Sequence, residues 1–252
     1  MMERQNQLYI GSVLAKRPLP AHSYLNDLPV VRWLMERKEL KFDSPVTFLV
    51  GENGAGKSTL LEAIAVNFGF NPEGGTRNFN FTTFASHSEL HSCIALAKYR
   101  YPRDGFYLRA ESFYNMASNI EKMDAEPGLG NRVIDSYGGV SLHKQSHGES
   151  FMAALTNRFG GRGLYILDEP EAALSPMRLM DMIVEIDRLV RDDSQFFIST
   201  HSPILMAFPG ATILELSGNG IRAVDYRQTE HYECTRRFLE NPERMLRLLL
   251  ED

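Results

Sequence analysis

Residues 51–59 read Gly51-Glu-Asn-Gly-Ala-Gly-Lys-Ser-Thr59. The apolar run Val46-Thr-Phe-Leu-Val50 precedes this turn and the periodic stretch Leu60 to Phe68 follows it, so the local order is strand, glycine-rich loop, helix. The spacing of Gly51, Gly56, Lys57 and Ser58 fits a phosphate-binding loop. In such a loop backbone N–H groups wrap the phosphates, the lysine reaches the terminal ones, and the serine hydroxyl ligates Mg²⁺. The helix that follows adds its N-terminal dipole to the same anion site. A glycine-rich turn with a neighbouring lysine would account for the residues, but not for the strand before them and the helix after.

Around this loop, 252 residues with 43% hydrophobic content can bury a full core, in one large domain or two lobes of one. Acidic residues outnumber basic ones, 32 to 27, giving a formal charge of −5 and no bulk electrostatic footprint for nucleic acid. A local basic patch stays open. Cys93 and Cys234 lie in unrelated contexts without metal-ligand spacing, which fits a reducing cytosol. The polar start Met1-Met-Glu-Arg-Gln-Asn-Gln lacks the apolar core of a signal peptide, and no run reaches membrane-spanning length. The expectation is a soluble, cytoplasmic chain without membrane insertion.

Upstream of the loop, Leu8 to Leu14 reads as a strand running into the proline-punctuated turn Lys16-Arg-Pro-Leu-Pro20. A short helix follows, with Val30, Val31, Leu34 and Met35 on one face and Asp27 with Pro29 at its start. Tyr9, Tyr24 and Trp33 could stack on a base, but each reads better as an ordinary core or rim aromatic. Downstream, Ser86 to Glu89 resembles a capping box that would place Leu90, Ile94 and Ala97 on one helical face, although the same residues could run extended. Pro102 to Gly105 is a turn and Phe106 to Ala110 a strand. Glu111 then sits at a strand end, as a site residue or a solvated carboxylate, and Met123 to Asn131 reads as a loop.

The next informative block is Gly163-Leu-Tyr-Ile-Leu-Asp-Glu-Pro-Glu171, four apolar residues ending in adjacent carboxylates. Strand side chains alternate, so Asp168 and Glu169 leave in different directions: one can hold Mg²⁺ while the other faces an attacking water. Asp168 is read as the metal-side carboxylate with Ser58, and Glu169 as the general base. Ser175-Pro176 starts a helix whose buried stripe is read as Met180, Ile183, Val184 and Val190. Gln195 to Thr200 is another buried strand, and it delivers His201 to the same sheet edge as Lys57 and Asp168, placed to hydrogen-bond a γ-phosphate and water. Ser146 with Gly148 precedes the apolar helix of Phe151, Met152, Leu155 and Phe159, and reads either as an anion-binding helix start or as a plain cap.

In order and spacing, residues from about 40 to 205 resemble the ABC-type ATPase superfamily. Gly51 to Thr59 resembles a Walker A motif, Ser146-His-Gly-Glu149 the ABC signature, Leu164 to Glu169 Walker B with its catalytic glutamate, Ala173-Leu-Ser-Pro176 the D-loop, and His201 the switch histidine. The chain is similar in particular to small stand-alone bacterial predicted ATPases of the RecF and chromosome-maintenance branch, a likeness extending through Glu230-His-Tyr232 to the C-terminal helix. The resemblance implies an α/β P-loop NTPase fold, with a mostly parallel central sheet, added antiparallel strands and a helical signature lobe. It implies one domain over 1–252, its α/β lobe at about 1–100 and 160–228, its helical lobe at about 111–159 and C-terminal helices at 229–252.

The resemblance also implies that Gly51, Asn53, Gly54, Ala55, Gly56, Lys57, Ser58 and Thr59 hold ATP and that Ser58 and Asp168 hold Mg²⁺. Lys57, Glu169 and His201 would be catalytic, and Ser146 and Gly148 would meet the γ-phosphate across an ATP-dependent head-to-tail homodimer. Such a switch would serve DNA maintenance or phage defence, clamping nucleic acid or gating an effector protein; the interval from Thr59 to Ser146 has no room for a long coiled-coil arm. An energising subunit of a membrane transporter is the alternative. His147 stands where transporters carry glycine, and Glu111 where their Q-loop glutamine would be, which counts against it. A small-molecule P-loop kinase is disfavoured because Glu169 and His201 position water rather than a hydroxyl acceptor.

At the C-terminus, Ala211 to Leu216 and Ile221 to Tyr226 form a hairpin around Ser217-Gly-Asn-Gly220. Asn241-Pro242 starts a helix whose Met245, Leu246, Leu248, Leu249 and Leu250 are expected in the core, with partner docking as the alternative.

Overall fold

The stretches Val46–Val50, Gly163–Asp168 and Gln195–Ser199 are apolar at most positions, and each is buried at every position. Runs of this kind form the middle of a parallel sheet covered on both faces. The computed structural model describes residues 8–76, 88–110, 113–125 and 132–250. In chain order its first half holds β1 (Ile10–Ala15), α1 (Pro29–Arg37), β2 (Glu39–Lys41), β3 (Val46–Val50), α2 (Lys57–Phe68), α3 (Leu90–Cys93), β4 (Ile94–Lys98), β5 (Asp104–Arg109) and α4 (Phe113–Ala125). The second half holds α5 (His147–Ala153), β6 (Gly163–Asp168), α6 (Pro176–Arg191), β7 (Gln195–Ser199), α7 (Pro203–Met206), β8 (Thr212–Ser217), β9 (Gly220–Val224), α8 (Glu230–Glu240) and α9 (Pro242–Leu250).

Six strands form one sheet in the order β5-β6-β7-β3-β8-β9. The first five are parallel, and β9 closes the edge antiparallel to β8. Alternation sends Val46, Phe48 and Val50 to one face, where they pack with Tyr165, Phe196 and residues of α4 to α6. Leu49 faces the other way with Ile166 and Phe197, against α1 and α2. A second sheet, antiparallel in the order β2-β1-β4, lies on that second face and is tied to the first by the buried Gln195. The mixed α/β fold agrees with the expected architecture. Among the described residues no helix is long and apolar enough to cross a membrane.

Several readings are corrected. Leu90, Ile94 and Ala97 do not share a helix: a single turn ends at Cys93, and Ile94–Lys98 runs extended against β1. Strand pairing with β1 decides between two local options that the apolar spacing left equal. On α6 the buried residues are Leu179, Met182, Ile186 and Leu189; of the expected stripe, Ile183 and Val190 are half-buried against the core, while Met180 is 48% and Val184 69% exposed. That helix carries a second, outward apolar stripe, and periodicity alone cannot choose between the two. Helix α9 has no buried residue, and Leu248, Leu249 and Leu250 are exposed, because nothing among the described residues lies over that face. Asp27 belongs to a short 3-10 turn, and Leu28 caps α1. Met123 lies in α4 rather than in a loop; Glu111, Ser86 and most of the loop read up to Asn131 lie outside the described residues.

Candidate functional site

Strand β3 ends between β7 and β8, with Leu49 in register with Ser199 and Val50 with Glu215. The chain then turns through Gly51, Gly54 and Gly56, all at positive φ. A Cβ on Gly51 would lie 2.1 Å from the Leu216 carbonyl oxygen, and one on Gly56 2.4 Å from Val30 Cγ1, so both positions need glycine. Glu52, Asn53 and Gly54 are exposed at the crest; Ala55 and Thr59 are half-buried on the way into α2.

Lys57 is only 4% exposed, and its Nζ donates to the Gly51 carbonyl at 2.8 Å and the Glu52 carbonyl at 3.0 Å. Burial pulls its pKa down, opposed by the charges of Glu169, Asp168 and Glu171. Ser58 Oγ, one residue on, donates to Asp168 Oδ1 at 3.0 Å, and Ser199 Oγ donates to the same oxygen at 2.8 Å. Asp168 closes β6 at 7% exposure, and burial pushes its pKa up despite those two hydroxyls and nearby Arg109.

Glu169 follows at φ 51, a left-handed conformation that a non-glycine residue holds only when its surroundings impose it. Its backbone N–H donates to the Ser199 carbonyl at 3.1 Å, so the neighbouring strand fixes the bend. Its Oε1 lies 3.6 Å from His201 Nε2, just beyond hydrogen-bond distance. That buried Nε2 has no hydrogen-bond partner among the described residues. On the other side of the ring, His201 Nδ1 meets His231 Nε2 at 2.8 Å. The His201 backbone N–H donates to the Glu171 carboxylate, whose pKa burial raises. Burial and the Lys57 charge hold the His201 pKa below its ordinary value, against the pull of Glu169.

Lys57, Ser58, Asp168, Glu169 and His201 thus meet at one edge of the sheet, as expected from the sequence. Ser146 and Gly148 do not join them. Ser146 caps α5, its Oγ accepting from the Glu149 N–H at 3.3 Å while its hydroxyl and N–H donate to Glu149 Oε2 at 2.7 and 2.9 Å, and the start of α5 packs on the turn after Glu169, where a Cβ on Gly148 would be 2.8 Å from the Ala173 carbonyl oxygen. Sequence reasoning missed Ser199, Glu171 and His231. Glu171 stood inside a quoted block, and His231 inside a triplet noted only for its likeness to relatives. Beside the loop, Glu52, Gly54, Arg222, Glu233, Arg237 and Met245 line a cleft of about 860 Å³ under α8 and α9.

Comparison with known families adds two matches. An AAA-domain model covers residues 31–103, which include the loop. A second AAA-domain model, whose description names an AbiEii toxin of a type IV toxin–antitoxin system, covers 117–207, with Ser146, Asp168, Glu169 and His201 inside it. Both matches are to AAA domains, and between them they take in the glycine-rich loop and the sheet-edge residues. Solved structures similar to this chain include an ATP-binding cassette of an ABC transporter, at 12% identity and TM-score 0.48, covering 94% of this chain and 97% of that one. A metal-chelate type ABC transporter in an inward-facing conformation is 14% identical at TM-score 0.47, covering 90% and 88%. A dimeric bacterial ABC transporter cassette is 17% identical at TM-score 0.41, covering 76% and 90%. No curated protein matches the sequence of the domain.

Proposed function

We propose that this chain binds ATP with Mg²⁺, hydrolyses it, and acts as a nucleotide-dependent dimerisation switch. The observation that carries the reading is the meeting on one sheet edge of a buried lysine, a Ser58–Asp168 pair, a bent Glu169 and a His201 Nε2 without a hydrogen-bond partner among the described residues. The groups fit their ligand. The loop from Gly51 to Thr59 is a glycine cradle whose crest is open, since a Cβ on Gly54 would meet nothing within 4 Å. Ser58 and Asp168 supply the oxygen donors that Mg²⁺ prefers. Bound there, Mg²⁺ would neutralise charge on the terminal phosphates.

The chain's own residues do the rest. Lys57 turns from the Gly51 and Glu52 carbonyls toward the β- and γ-phosphates. Glu169, held off the strand axis by its left-handed backbone, accepts the proton of the attacking water. His201 offers Nε2 to the γ-phosphate and orients that water. Ser146 and Gly148, exposed or half-exposed and bonded within their own helix turn, serve the γ-phosphate of a second copy, so that one chain holds half of each site. In this reading 1–252 is one domain, with the helical segment 111–159 carrying the signature and 229–252 adding C-terminal helices. We place the switch in DNA maintenance or phage defence, or in gating a partner effector; the toxin–antitoxin description attached to the 117–207 match supports the defence setting.

Glu169→Gln should retain ATP and accumulate as a dimer in gel filtration with light scattering. A variant that binds ATP yet stays monomeric overturns the composite site. Lys57→Ala should lose ATP binding, and unchanged affinity removes the loop assignment.

A further inference from the structure

We infer that His231 is a positioning residue: its contact with His201 Nδ1 fixes the tautomer that turns His201 Nε2–H toward the γ-phosphate edge, and so links the C-terminal helices to that edge. The inference rests on the function proposed above. Neutral imidazoles bonded nitrogen to nitrogen need one donor and one acceptor, and the two rings are 2.8 Å apart at Nδ1 and Nε2, tilted by 54°. Two assignments satisfy that bond, and the far side of His201 chooses between them. Glu169 Oε1 faces Nε2 at 3.6 Å, and a carboxylate there favours hydrogen on Nε2. His201 Nδ1 is then the acceptor and His231 Nε2–H the donor. The depressed pKa values of both rings, owed first to burial, agree with the neutral pair.

The start of α8 is built to hold His231 in place. Thr229 is fully buried, its Oγ1 donates to the Tyr226 carbonyl at 2.8 Å and accepts from the Tyr232 N–H at 3.3 Å, and Tyr226 and Tyr232 pack ring to ring at 4.7 Å. No residue of α8 or α9 is buried. The first turn of α8 is where the helical pair meets His201, so a change in what His201 bonds is felt there.

The experiment uses the full chain with ¹⁵N-labelled histidine, read by long-range ¹H–¹⁵N correlation, with His201→Gln assigning the resonances. His201 is expected as the pure Nε2–H tautomer in the wild type, as a tautomer mixture in His231→Ala, and restored in His231→Gln, whose side-chain amide reaches the same place. ATP turnover should fall about ten- to a hundred-fold in His231→Ala with nucleotide affinity unchanged, by analogy with groups that orient metal-bound histidines, and His231→Gln should recover most of it. An unchanged His201 tautomer in His231→Ala overturns the inference, as does turnover equal to the wild type. A wild type without ATPase activity refutes the proposed function instead, and the tautomer measurement still judges the histidine pair.

Discussion

Removing the Gln195 side chain should cost a large part of the stability of this fold. Gln195 opens β7 with no exposed surface; its Oε1 accepts from the N–H groups of Tyr9 and Ile10 at 2.8 and 2.9 Å, and its Nε2 donates to the Ile10 carbonyl at 2.9 Å. These three bonds join two sheets that share no strand pairing. Gln195→Ala leaves two amide donors and one carbonyl buried without partners, each costing about 1–3 kcal/mol. Water entering the vacated volume recovers part of that, so the expected loss is about 3–5 kcal/mol out of a typical total of about 5–15. Urea unfolding followed by circular dichroism measures it as a lower midpoint at constant slope. A loss below about 1 kcal/mol would refute the claim that this side chain holds the sheets together.

Gln195→Glu sharpens the test. A neutral carboxyl can repeat all three bonds, whereas the ionised form sets a buried negative charge against the Ile10 carbonyl, so the folded-state pKa is raised. The unfolded chain releases this proton near roughly pH 4.3 while the folded chain keeps it. Between those two pKa values the folded state binds more protons, and stability falls as pH rises through the window. A flat profile for this variant, relative to the wild type, contradicts the bonding pattern.

Asp104→Asn should destabilise by about 2–4 kcal/mol, since that carboxylate accepts from Gly160 N, Tyr165 Oη and Arg158 Nη1. Burial raises the Asp104 pKa, but those three partners outweigh it and leave the group below its ordinary value. The gap between wild type and variant should therefore be full above the unfolded aspartate pKa of roughly 3.9 and close as pH falls through the lower folded value, in melts taken from pH 7 to 3. Ser146→Ala should cost about 1 kcal/mol through loss of the helix cap, leave ATP binding by the monomer intact, and abolish ATP-driven dimerisation in gel filtration. Wild-type dimerisation by that variant would remove Ser146 from the shared site.

The parallel sheet and its edge were readable because chemistry follows apolar runs there. Asp168 and His201 end buried strands, and in a parallel sheet strand ends on one side converge whatever lies between them in sequence. Where one local pattern served two structures, the sequence could not choose. Ile94 and Ala97 suit a helix face as well as a strand, and only the strand Ile10–Ala15, about eighty residues earlier, decided the matter. The outward Met180 and Val184 are as apolar as the inward Met182 and Ile186, so the stripe is fixed by which face meets the core. His231 was invisible for a further reason: its meaning lies in a contact with a residue thirty positions away, and a lone histidine on a polar helix carries no local signal.

The polar groups around the loop are poised for exchange. Lys57 is bonded to two carbonyls, Ser58 to Asp168 and Ser146 to Glu149, so an arriving phosphate, or Mg²⁺ at the Ser58–Asp168 pair, must displace a partner at each. Each of those bonds already has a charged group on one side, the Lys57 ammonium or a carboxylate, so each exchange trades one charge-assisted bond for another. His201 Nε2 differs from all of these. It is buried and has no hydrogen-bond partner among the described residues, with Glu169 Oε1 just out of reach, so part of its desolvation cost, about 1–3 kcal/mol, is already present in the fold and is relieved by an acceptor oxygen. His201 thus gains an acceptor without giving one up, and its other nitrogen is the one that touches His231.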